Sequence, residues 1–308
     1  MYVKKLADNL LYPLPNINLK GGGVFYFMRI QTAYARYISE YLLLKGCNKS
    51  ELVHIRAGAR WFVEIVGNIH LAEITLEDVA KYAAGLGHYK GNRSQNTIRV
   101  YLIKLRTVLK YWRLRGEDVL DADMIPIPKP IPTTPAFLTK EEVDRVIVES
   151  PNIRTKFLIS LLYSSGIRVS EAYTLNRDTI RNGMFTVIGK GQKERLCFID
   201  ARTEYFMEKY LESRTDRSEA LIATNFGNRA SVQTLKAIVH SAAVKSGLNK
   251  KISAHTFRHS FATNYVSNNG NLKHLATMMG HSSTKTTEVY THIVDYDLLR
   301  EYREHHSF

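Results

Sequence analysis

At 308 residues the chain is long enough for two domains of ordinary size, and 44% hydrophobic with 23% charged residues suits a globular protein with a normal core. Lys and Arg total 43 against 29 Asp and Glu, a net +14, which favours a polyanionic partner, nucleic acid before membrane, over a merely basic surface. Cys47 and Cys197 are too isolated for a disulfide framework or a zinc knuckle. No run approaches the ~18 apolar residues of a membrane span, and Asp8, Asn9 and Pro13 interrupt any signal-like core after Lys4 and Lys5. The expected setting is the cytoplasm.

Residues 1–23 contain Pro13, Pro15 and the triple glycine Gly21–Gly23, and read as a flexible lead-in. A helical domain is expected over 24–121. Phe25–Lys45 has Tyr and Leu at helical spacing before Gly46, and Ser50–Val66 carries Leu52, Ile55, Ala59, Phe62, Val63 and Val66 on one side. Thr75 with Asp78 is capping-box-like and opens a helix to about Ala84. Ser94–Arg115 has an apolar stripe of Ile98, Tyr101, Leu102, Leu105, Val108, Leu109 and Trp112. Residues 90–115 hold eight cations and no carboxylate. A solvated helix face normally mixes signs, so Arg93, Arg99, Lys104, Arg106 and Lys110 are expected to face phosphates.

Five of the eight prolines fall within 126–135, so 122–137 reads as a semi-rigid, extended linker. A second domain follows over 138–294. Thr139 and Glu142 form a capping box, Phe157–Ser164 is an apolar helix that breaks at Gly166, and Arg168 begins the next helix. Gly183–Asp200 reads as a β-hairpin with Lys190 at its tip, between Gly189 and Gly191. Helices are expected over Thr203–Leu211, Ser231–Ser246, from His255, and over Leu272–Met279, with a tail helix in 295–308. There is no internal repeat.

The chemistry concentrates in the second domain. His255 and Arg258 are three apart and share a helix face, and Gly280 stops a helix just before His281. Tyr290 follows nine residues later. Singly these residues are bland: Arg168 would pair Glu171, Arg258 would be a surface cation, Lys190 a solvated hairpin tip and Tyr290 a core or rim tyrosine. His255, His259, His274 and His281 lack any Cys, Asp or Glu at a ligand spacing, which argues against a metal site. As a set, Arg168 and Arg258 offer two planar forks for phosphate oxygens, beside two imidazoles and a phenol.

The blocks S-S-G-I-R-V-S-E-A, V-I-G-K-G-Q-K-E-R, H-T-F-R-H-S-F-A-T and M-M-G-H-S-S-T-K-T-T-E-V-Y-T-H stand in this order. The chain thereby resembles the tyrosine recombinases, also called phage integrases, strongly over Leu138–His292 and more weakly through S-Q-N-T-I-R-V-Y-L in the helical half. The resemblance implies a mainly α fold with a small β-sheet. It implies a C-shaped clamp of two domains, a helical core-binding domain (24–121) and a mixed α/β catalytic domain, on a double-stranded DNA recombination site. It implies no cofactor and no metal. Tyr290 would attack the scissile phosphate to give a 3′-phosphotyrosyl bond and a free 5′-hydroxyl. His255 would accept the phenol proton, Arg168 and Arg258 would neutralise the phosphorane oxygens, and Lys190 would protonate the leaving oxygen. His281 would hydrogen-bond the phosphate or position the nucleophile. Ionising a free tyrosine at pH 7 costs roughly 4 kcal/mol, which a nearby imidazole and two guanidiniums offset.

The sequence departs from the family's common pattern at Asn264, Asn271 and Met278–Met279. The resemblance also implies a homo-tetramer on two DNA sites, with the tail Asp295–Phe308 docked into a neighbouring protomer. Residues 1–23 are too short for the folded arm-binding domain that many integrases carry, which favours Xer-type dimer resolution over an integrase or transposase of a mobile element. The compact two-domain size sets the type IB topoisomerase reading second. A non-catalytic site-specific DNA-binding protein is the alternative of another class.

Overall fold

The computed structural model describes residues 28–47, 49–88, 93–131, 135–189 and 194–280. The lead-in 1–23, the Lys190 turn and the 295–308 tail expected above lie outside them. The chain divides into two compact units, residues 1–132 and 133–308. The described part is helical apart from one two-stranded sheet.

In the first unit, α1 (Ile30–Tyr37) runs into a π-helical turn, Ile38–Leu42, and is followed by α2 (Lys49–Ile65), α3 (Leu76–His88) and α4 (Gln95–Arg113). The apolar stripe of α4 is buried as its spacing predicts, and Trp112 also donates from Nε1 to the Ala33 carbonyl at 3.2 Å. Thr75 and Asp78 exchange both capping bonds, at 3.0 and 3.2 Å. The helix they open continues past Ala84. Gly85 acts as a close-approach residue, not a stop: a Cβ there would lie 2.4 Å from the Ile65 side chain. The proline-rich stretch stays on this unit as far as Ile131, whose backbone N–H and C=O both bond the Asn96 amide at 2.9 Å.

The second unit is built around α6 (Ile153–Ser165), whose Phe157, Leu158, Ile159, Leu161 and Leu162 are fully buried. A helix apolar all round needs neighbours on every side. They are α5 (Lys140–Val148), α8 (Ala201–Glu212), α9 (Val232–Lys245) and α10 (Ala254–Ser267). The Thr139–Glu142 capping box opens α5 with both reciprocal bonds. Short α7 (Val169–Thr174) packs on α9, and α11 (Leu272–Met279) on α10 and the hairpin. β1 (Met184–Ile188) and β2 (Glu194–Phe198) pair antiparallel with Phe185 opposite Cys197 and Val187 opposite Arg195. Those four side chains face inward, while Met184, Ile188, Leu196 and Phe198 are exposed on the outer face. Among the described residues no helix is long and apolar enough to cross a membrane.

Because Phe157 sits at the centre of α6 with the Tyr210 ring stacked 5.8 Å away, Phe157→Ala should cost about 3–5 kcal/mol. Urea unfolding of the purified chain checks this. A loss below about 1 kcal/mol would mean that α6 is not the hub of this unit.

Candidate active site

Ser253 caps α10 by accepting from Thr256 N–H at 3.4 Å, while Thr256 Oγ1 accepts from Ser253 N–H at 3.0 Å. This start puts His255 in the exposed first turn and Arg258 one turn on, where it is 5% exposed. Arg258 Nη1 donates to the Gly166 carbonyl and Nη2 to the Met279 carbonyl, both at 2.5 Å. Gly166 and Gly280 are the left-handed residues ending α6 and α11, with φ of 61° and 63°. One buried guanidinium therefore ties together the C-terminal ends of two helices, where partial negative charge accumulates. A Cβ on Gly166 would meet the Phe261 ring at 2.4 Å, so this end needs glycine for both its φ and its space.

A second buried arginine joins the first. Arg195 Nη1 and Nη2 bind Glu171 Oε1 and Oε2 at 3.0 and 2.6 Å, and its Nε donates to the Met278 carbonyl at 2.8 Å. Glu171 in turn accepts from the Arg168 backbone N–H at 2.7 Å and from Arg168 Nη1 at 3.0 Å. Burial pushes the Glu171 carboxyl up, but bonds from Arg195 and from Arg168 outweigh it and hold the group below the usual carboxylate range. Arg168 keeps 31% of its side chain exposed. These bonds gather two guanidiniums around one carboxylate, and Arg258 holds the carbonyl next to the one that Arg195 holds, so the cluster of three arginines carries excess positive charge and favours an anion.

His255 lies within electrostatic reach of this cluster. Partial desolvation, then Arg258, Lys236 and Arg168, hold its imidazole below 6.5. This favours the neutral form, which can accept a proton. His259, one turn further on, is lowered by desolvation and then by His255 and Arg258. His274 lies on α11.

Of the residues expected from the sequence, Arg168, His255 and Arg258 come together here. Lys190, His281 and Tyr290 lie outside the described residues. Sequence reasoning missed Arg195 and Lys236. Arg195 stands inside a quoted block, but R-L-C-F-I suggests Leu196 and Phe198 as the inward residues, and the structure turns the other parity inward. Lys236, on α9, had no local signal. The departures have local duties: Asn271 caps α11 by accepting from Lys273 and His274 N–H, a role aspartate fills equally well. Asn264 bonds Leu138 O and Tyr163 Oη at 3.3 and 3.0 Å.

In the first unit each expected DNA-contacting cation has a neighbour. The Arg93 guanidinium stacks 3.9 Å over Trp61, and Arg99 donates to the Pro128 carbonyl at 3.1 Å. Lys104 pairs Glu51 at 3.2 Å, while Arg106 and Lys110 share Asp123. The single charge sign along α4 is thus balanced from other elements, by Glu40, Glu51, Asp121 and Asp123.

The domain is mainly helical and masses guanidiniums beside an imidazole of lowered basicity, an arrangement suited to an anionic partner. Residues 136–296 match the phage integrase family. The chain is 33% identical over 230 residues to the tyrosine recombinase XerD of Oceanobacillus iheyensis, covering 70% of this chain and 77% of that one. It is 30% identical over 249 residues to the tyrosine recombinase XerC of Histophilus somni, covering 78% and 84%. The fold is similar to that of lambda integrase, in a structure of its tetramer bound to a Holliday junction, at a TM-score of 0.71 and 16% identity over 86% of this chain and 84% of that one. The chain belongs to the phage integrase family. It is a site-specific tyrosine recombinase, an enzyme that breaks and rejoins DNA strands.

An NMR titration of the His255 imidazole should give a midpoint below 6.5, and Lys236→Gln should move it upward by removing a neighbouring cation. A midpoint at or above that of free imidazole would remove the electrostatic account of this site.

Proposed function

We propose that Tyr290 is the nucleophile and that Arg168, Lys190, His255, Arg258 and His281 complete its catalytic set. The supporting observation is the cluster of Arg168, Arg195 and Arg258, a positive site with His255, its imidazole lowered, beside it. The Tyr290 oxygen attacks the scissile phosphorus and the phenol proton passes to His255. Arg168 and Arg258 offset the charge growing on the non-bridging oxygens. The P–O5′ bond breaks as Lys190 gives its proton to the leaving oxygen, and His281 holds the phosphate. A partner 5′-hydroxyl reverses these steps to reseal. The phosphotyrosyl ester keeps the bond energy, so no cofactor is required.

The reading extends to the assembly. Residues 24–121 act as the core-binding domain, with Arg93, Arg99, Lys104, Arg106 and Lys110 meeting the phosphates of a double-stranded recombination site. Exposed ion pairs contribute about 0–1 kcal/mol, so exchanging Asp123 for a phosphate costs Arg106 and Lys110 little. Four copies act on two DNA sites, exchanging the tail Asp295–Phe308. The exposed apolar outer face of the hairpin is the kind of surface such an exchange covers. Cytoplasmic Xer-type resolution of DNA dimers is favoured over a mobile-element role because both relatives described above are Xer recombinases.

Incubation with nicked suicide DNA selected for binding should yield a covalent protein–DNA band that Tyr290→Phe abolishes. His255→Ala should slow its formation on the order of 100-fold. Because the His255 imidazole is lowered, the acid limb of the cleavage profile should fall below pH 6.5. A band persisting in Tyr290→Phe would overturn the nucleophile. Tight binding without any band in the parent would favour a non-catalytic DNA-binding protein. Separately, Arg106→Gln with Lys110→Gln should weaken binding to all sequences and reduce its salt slope by about one per lost phosphate contact. An unchanged slope would take α4 out of the DNA interface.

A further inference from the structure

Arg195 occupies an inward slot of a two-stranded sheet, opposite Val187, where an apolar residue would satisfy packing. Every part of its guanidinium is committed: both terminal nitrogens to Glu171 and Nε to the Met278 carbonyl. Glu171 Oε1 is the same oxygen that holds Arg168 Nη1, so the place of the Arg168 side chain depends on where Arg195 sets the carboxylate. At its other edge, Arg195 holds the carbonyl next to the one that Arg258 holds, so the two arginines jointly seat the last turn of α11. In the sequence His281 follows Met279 by two residues, and Lys190 precedes Arg195 by five.

We propose that Arg195 is a positioning residue for strand cleavage, orienting the Arg168 guanidinium through Glu171 and seating the end of α11 through Met278. This rests on the catalytic reading of Arg168 given above. Arg195 does not touch the DNA. Its fork geometry, not its charge alone, carries the effect, since a lysine ammonium cannot span both Glu171 oxygens and the Met278 carbonyl together.

The test compares the parent with Arg195→Lys on two suicide duplexes, one with an ordinary scissile phosphodiester and one with a neutral methylphosphonate there. Without a charge on the phosphate, a displaced Arg168 matters less. Arg195→Lys should form adduct on the order of 100-fold more slowly on the diester, with DNA affinity and Tm near those of the parent. On the methylphosphonate the gap should close to a few-fold. Diester cleavage within about two-fold of the parent would overturn the proposal. Equal losses on both substrates would also overturn it, since a merely structural residue makes no distinction between them. Should Arg195→Lys fail to fold, Glu171→Asp, which keeps the carboxylate charge but moves its oxygens, decides between the same outcomes. A parent that forms no adduct at all sinks the underlying catalytic reading and this proposal with it, and that result appears without any Arg195 variant.

Discussion

The second unit depends on arginine side chains that take the place of water at the ends of helices. The last carbonyls of an α-helix have no partner within the helix, and here the ends of α6 and α11 are drawn together at Gly166, Met278 and Met279. Arg258 and Arg195 satisfy those carbonyls, and Glu171 balances part of the charge this brings inside. With both members under a tenth exposed, breaking such a pair costs about 3–5 kcal/mol, because the remaining charge stays buried without its partner. The same groups that hold the helix ends therefore cannot drift. That rigidity is what a site aimed at a phosphate requires.

Function and stability are coupled through this arrangement. Three guanidiniums with one carboxylate between two of them leave a site poised for another anion, while desolvation and then Arg258, Lys236 and Arg168 shift His255 toward its neutral form. In the proposed reaction a phosphate diester would meet positive charge already fixed in place, with His255 beside it as the proton acceptor. In the first unit the electrostatics follow another logic. The cations of α4 rest on exposed carboxylates of neighbouring segments, contacts weak enough to be exchanged.

Much of the helical layout was legible because amphipathic spacing and capping chemistry are local. The stripe of α4, the Thr139–Glu142 box and the stop at Gly166 follow from residues within one or two turns. Where local rules misled, a distant neighbour was responsible. The helix opened at Thr75 reads as ending at about Ala84 but runs on to His88, with Gly85 making room for Ile65. The cations of α4 read as free of carboxylates because Glu51 and Asp123 lie on other elements.

The candidate site divides in the same way. The sequence by itself determined the residue types of the candidate set and their order, from Arg168 through His255 and Arg258 to Tyr290, because they stand in four local blocks. It also determined that His255 and Arg258 share one helix, since helical periodicity is a property of spacing. Only the tertiary structure decided that Arg195 and not Leu196 turns inward, that Glu171 serves two arginines, and that Lys236 reaches the field around His255. These are long-range facts. An arginine enters a core only where a carboxylate and unpaired helix carbonyls already wait for it, and no local pattern records where the chain will bring them.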